Sequence, residues 1–186
     1  MELPTSQRVI LSLCDYSGVW SGPYREAGYD VRQVDLANSQ DVRLLEYAGP
    51  VWGVLAAPPC TVFAASGARW KRSEAAMLEG LSIVDACLRA VMIGKPQWWA
   101  LENPVGKLTR YLGKPVFTFQ PSDFGDTYTK RTCLWGRFVL PVPVFLGENM
   151  SVEAVDGSKM HTRVRAQRAR SETPGGFAQA FFRCNP

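Results

Sequence analysis

Three features of the chain predict an α/β fold with a mostly parallel sheet and helices on both faces. Short apolar runs recur at Val9–Cys14, Tyr29–Val34, Val51–Leu55 and Trp98–Leu101, each bounded by glycine, proline or an acidic residue. Between the third and fourth runs, Met77, Leu78, Leu81, Val84, Leu88, Val91 and Met92 repeat at helical spacing. The first two runs flank a short helix and end on Asp35, an arrangement suited to a nucleoside ligand, because a carboxylate there accepts hydrogen bonds from both ribose hydroxyls.

The elements follow in order. Residues 1–7 read as a lead-in. Val9–Cys14 is a buried strand closed by Asp15 and Gly18. Ser21 is placed to cap a helix that opens on Gly22-Pro23 and stops near Gly28. Asp41 precedes a helix expected over Val42–Tyr47. Ser73 starts the clearest helix, whose stripe is expected to be core, and Gly94-Lys95-Pro96 ends it. Val116–Phe119 and Thr132–Trp135 are further strands.

A chain of 186 residues fits one domain, residues 1–186, with a substantial core. Its 46% hydrophobic content is ordinary for a globular protein. No apolar run is long enough to span a bilayer, and the start lacks a secretory pattern, so no membrane partner and a cytoplasmic location are expected. Five cysteines without a Cys-x-x-Cys pair argue against a disulfide framework or a zinc site, and no metal is expected. The lone histidine, His161, disfavours Ser-His hydrolysis. Net charge is only +4, yet Lys159, Arg163, Arg165, Arg168 and Arg170 cluster without an acid between them. Such a run neutralises phosphates or forms a solvated face.

The chemistry centres on Ala57-Pro58-Pro59-Cys60, which follows the third strand. Two prolines hold the backbone before the thiol, and Gly67 lets the loop turn after it. A nucleophilic thiolate needs such a fixed orientation. Leu101-Glu102-Asn103-Pro104 delivers a carboxyl to the same sheet edge. Together with Leu13-Cys14-Asp15-Tyr16-Ser17-Gly18-Val19-Trp20-Ser21, these segments resemble, in order, the motifs of the DNA cytosine-C5 methyltransferases. The resemblance covers the catalytic domain, nearly the whole chain, and is closest to compact members found in phages and mobile elements. It implies a Rossmann-like fold, S-adenosylmethionine as cofactor, Cys60 as nucleophile and Glu102 as the acid at cytosine N3. The first loop lacks Gly-x-Gly-x-x-Gly, which disfavours NAD.

Further roles come with the resemblance. Tyr16, Ser17, Gly18, Trp20, Ser21 and Pro58 fall in the cofactor segments, and Asp35 is the ribose ligand. Asp41 stands where an acid meets the adenine amino group, or else caps the turn that follows. Trp20 packs on the adenine or fills the core beneath the loop. Phe124 to Thr132 partly resembles the Gln-x-Arg-x-Arg motif: Arg131 takes the second arginine, which contacts the cytosine, and threonines replace the other two. Thr173-Pro174-Gly175-Gly176-Phe177 resembles the closing segment, with Thr173 as cap, Pro174 opening the helix and Gly176 close to the cofactor. Pro104 stands where the classical motif has valine, and is expected to open the next helix.

The departure lies at about 138–172, where members of the family carry a long target-recognition region and this chain has 35 residues. Short or relaxed sequence preference follows, since reading bases takes several side chains. The expected partner is DNA, with the cytosine flipped out or single-stranded. Arg69 in the Cys60 loop and Arg163, Arg165, Arg168 and Arg170 are its expected contacts. Three alternatives share these residues: C5 modification of a free cytosine nucleotide, transfer of a larger group from a cofactor analogue, or a catalytically silent DNA-binding relative.

Overall fold

The computed structural model describes residues 3–46, 49–65, 71–126, 128–144 and 172–186. The elements in chain order are β1 (Val9–Leu13), α1 (Gly22–Glu26), β2 (Asp30–Val34), β3 (Gly53–Ala56), α2 (Glu74–Gly94) and β4 (Trp98–Pro104). After them come α3 (Thr109–Leu112), β5 (Phe117–Phe119), β6 (Thr132–Arg137) and α4 (Gly175–Cys184).

The six strands form one mixed sheet in the order β2-β1-β3-β4-β6-β5. The β2-β1, β1-β3 and β3-β4 pairs are parallel, whereas β6 is antiparallel to both β4 and β5. Strand side chains alternate between two cores. Leu11, Leu13, Val54, Ala56 and Leu101 face α2, whose Val84, Cys87 and Val91 complete one core. Ile10, Leu55, Ala100 and Leu134 face the other, filled by Tyr24 of α1 and by Phe177 and Phe181 of α4. All five residues of β1 are buried, as a strand covered on both faces requires.

Helix α2 matches its sequence signals. Ser73 caps it by accepting from the Ala76 amide at 3.1 Å, and Lys95 turns left-handed after Gly94. Its packed stripe runs through Met77, Leu81, Val84, Cys87, Leu88 and Val91. Leu78 and Met92, expected in that stripe, face solvent at 60% and 75% exposure, since each lies one residue around the helix from a packed neighbour.

Other local expectations are corrected. The helix expected over Val42–Tyr47 is a single 3-10 turn over Val42–Leu44, with 47–48 outside the described residues. Ser21 makes no side-chain cap for α1, because its hydroxyl donates to Asp15. Pro174, extended and outside the helix, is the N-cap of α4, so Thr173 does not cap it. Pro104 closes β4 and does not open a helix: α3 begins at Thr109. β4 outruns the expected Leu101 because β6 pairs with it as far as Pro104 and Thr132.

Among the described residues, no helix is long and apolar enough to cross a membrane. All five cysteines are free thiols.

Candidate functional site

Register places the site. Val34, Leu13, Ala56 and Leu101 form one row across four parallel strands. Asp35, Asp15, Cys60 and Glu102 lie just beyond that row, on the carboxyl side. After β2 the chain returns to the other side of β1, so the loops after β1 and β3 flank a topological switch point, where open α/β sheets bind ligands.

The loop after β1 wraps around Asp15, which is buried. Its carboxylate accepts from the hydroxyls of Ser12 (2.9 Å), Ser21 (3.0 Å) and Ser17 (3.4 Å) and from the amides of Gly18 (3.1 Å) and Ser21 (3.3 Å). Ser21 is thereby drawn inside, while Tyr16 and Ser17 stay exposed at the crest. Trp20 is fully buried against Phe177 and Phe181, at ring separations of 5.9 and 5.7 Å. It fills the core beneath the loop.

The Cys60 loop is fastened to the chain around Glu102. The Asn103 side-chain amide donates to the Pro58 carbonyl at 2.9 Å. Ala65 N–H donates to Val105 C=O at 3.0 Å, and Lys107 N–H to Phe63 C=O at 2.7 Å. Gly106 permits this closeness: a Cβ there would stand 2.0 Å from the Phe63 carbonyl oxygen. The Phe63 and Ala64 amides both donate to the Cys60 carbonyl, curling the chain right after the thiol. Cys60 and Glu102 thus sit on one braced unit.

Glu102 is 3% exposed. Lys130 Nζ lies 3.6 Å from its Oε1, an ion-pair separation too long for a hydrogen bond. That oxygen and Asn103 Oδ1 are buried without a hydrogen-bond partner among the described residues. Such groups are uncommon in folded proteins. Burial pushes the Glu102 carboxyl above its ordinary range, Lys130 opposes the shift, and Asp15 adds to it. The Cys60 thiol is also pushed up, chiefly by burial and further by Glu102, while Lys130 pulls it down. Tyr128 is raised to about 12 by burial, with Asp126, Glu102 and Glu172 adding to the shift.

Sequence reasoning missed three of these residues. Arg131, expected beside the cytosine, is exposed, and its neighbour Lys130 is the cation that reaches Glu102. Asp15 and Asn103 lie within the segments that carry the resemblance, but neither was given a role of its own.

The remaining expected residues lie as follows. Asp35 is half-buried, and its Oδ1 accepts from the Ala37 amide at 2.8 Å, capping a 3-10 turn. Asp41 caps the turn at Val42 and grips the Arg43 guanidinium, which holds its carboxyl below the usual range. Pro58 is buried. Gly176 packs on the Phe124 carbonyl, where a Cβ would come within 2.1 Å, and its amide donates to Asp126. Arg69, Arg163, Arg165, Arg168 and Arg170 lie outside the described residues. Among the described residues, no three His, Cys, Asp or Glu side chains are grouped to hold a metal.

Comparison with known proteins finds no family model and no curated protein that matches this chain.

Proposed function

We propose that the protein is an S-adenosylmethionine-dependent methyltransferase acting on C5 of cytosine in DNA. The observation that carries this reading is the pairing of a thiol and a buried carboxyl on one braced unit: Cys60 and Glu102 leave adjacent strands, linked by the Asn103–Pro58 hydrogen bond. The motif resemblance supplies the reaction, and the mostly parallel mixed sheet with its switch point beside β1 supports a Rossmann-like methyltransferase architecture.

The residues at the switch point fit the cofactor. Asp35 is accessible at the end of β2, and Tyr16 and Ser17 are exposed on the loop beside it. Asp35 would hold the ribose, and the loop around Asp15 would receive the methionine part. When bound, S-adenosylmethionine supplies a methyl carbon activated by a positively charged sulfur.

The chain's own residues prepare the other reactant. The cytosine ring is a poor carbon nucleophile. Addition of the Cys60 thiolate to C6 breaks its aromaticity and leaves an electron-rich C5 able to take the methyl group. Negative charge developing at N3 is met by the Glu102 carboxyl, which hydrogen-bonds or protonates it. Loss of the C5 proton and expulsion of the Cys60 thiolate restore the aromatic ring. A duplex hides C6, so the base is flipped out or presented single-stranded.

The test is incubation with methyl-labelled S-adenosylmethionine and either DNA or free deoxycytidine nucleotides, followed by nucleoside analysis. The proposal expects labelled 5-methyldeoxycytidine from DNA. Label only in the free nucleotide would move the substrate, and label in neither would end the reading. Within the same scheme, Asp35→Ala should weaken cofactor binding by about 1.5–3 kcal/mol, the range for hydrogen bonds to a charged group. Unchanged affinity by calorimetry would place the ribose elsewhere.

A further inference from the structure

One nearly buried cation stands against Glu102, on the braced unit that also carries Cys60. Lys130 Nζ is 3.6 Å from Glu102 Oε1, and its side chain is 10% exposed. Lys130 Nζ also donates to the Glu172 carbonyl at 3.4 Å. Among the described residues, the charged groups acting on the thiol are Lys130 and Glu102, and the glutamate also feels Asp15 of the loop after β1. Tyr128, two residues before Lys130, feels Asp126, Glu102 and Glu172.

We propose that Lys130 is a shared counter-ion coupling the two reacting groups, so that Cys60 becomes a thiolate as Glu102 takes up a proton. This rests on reading Cys60 as nucleophile and Glu102 as proton donor. The argument is one of charge. With Glu102 ionised and Cys60 a neutral thiol, the three groups sum to zero. Ionising Cys60 as well would leave net negative charge in a buried place, which is costly. Moving the proton keeps the sum at zero: Sγ–H and carboxylate become thiolate and carboxylic acid, with Lys130 a cation throughout. The second state is the one the chemistry needs, a nucleophile beside a protonated acid. A cytosine whose N3 accepts from the Glu102 carboxyl favours that state, so the thiolate forms when its target is in place. Lys130 is a positioning residue, acting through the charges of its neighbours.

The test reads the thiol directly, on the full chain with neither DNA nor cofactor. Alkylation of Cys60 by iodoacetamide is followed from neutral to alkaline pH, by mass on the peptide that carries it, because four other thiols are present. Lys130→Gln should move the midpoint upward and slow alkylation at neutral pH about tenfold, the equivalent of one pKa unit. Lys130→Arg should restore most of the rate. Glu102→Gln should act in the opposite direction, lowering the midpoint and speeding alkylation several-fold, since the cation is then left to the thiol alone. A purely structural lysine would not produce opposite shifts. Coincident midpoints for the parent and Lys130→Gln, or slower alkylation in Glu102→Gln, would overturn the proposal. If Lys130→Gln does not fold, the direction of the Glu102→Gln shift still decides it. Because alkylation involves no methyl transfer, opposite shifts in a protein that methylates nothing would retain the counter-ion and reject the function. Unmoved midpoints in an active methyltransferase would do the reverse.

Discussion

Cys60→Ser is expected to reduce methyl transfer by about 10⁴-fold or more, the scale on which loss of a nucleophile disables other covalent enzymes. The intrinsic acidity of a serine hydroxyl is far below that of a thiol, so addition to C6 has no competent attacker. The fold should survive, because the side chain is only half-buried and the loop is held by backbone bonds to the Cys60 carbonyl and by Asn103. Cofactor affinity should be unchanged. DNA containing 5-fluorocytosine offers the complementary measurement: fluorine blocks the final proton loss, so the parent protein should remain covalently attached through Cys60 and the serine variant should not. An adduct on Cys14, Cys133 or Cys184, or normal turnover in the variant, would reject the nucleophile.

Glu102→Gln is expected to cost about 10²–10⁴ in rate, the usual contribution of a positioned proton donor. Glutamine keeps the shape and a hydrogen-bond donor but has no proton to give N3. The pH profile adds a sharper expectation. The working pair holds one proton between Cys60 and Glu102, so the parent rate should form a bell. It falls on the acid side as the pair gains a second proton, and on the alkaline side as it loses the last one. Burial raises both groups, which moves both limbs upward from ordinary carboxyl and thiol values. In the glutamine variant only the thiol titrates. Its residual rate should climb with pH and level off, with its rising limb on the alkaline side of the parent's acid limb. A bell that keeps the parent's acid limb would show that another group supplies the proton.

The sequence alone determined what depends on neighbouring residues. Apolar runs and their punctuation located β1, β2 and β3 to within a residue or two, because strand burial and turn chemistry are local. Ser73 and Gly94-Lys95 marked the ends of α2 for the same reason. Placing Cys60 and Glu102 beyond successive parallel strands was also legible, since a parallel sheet carries all its strand ends to one edge.

Only the tertiary structure decided which groups meet there. Asn103 reaches back 45 residues to Pro58, and Lys130 comes from beside an antiparallel strand that lengthens β4. Ser21, which has the composition of a cap, is taken by Asp15, a stronger acceptor already held by neighbouring donors. Trp20 is claimed by α4, more than 150 residues away in sequence. Local sequence encodes periodicity and capping, but a buried charge or ring takes the partner that best satisfies it in space. That choice depends on burial and on pairings between distant segments, which no short window of residues contains.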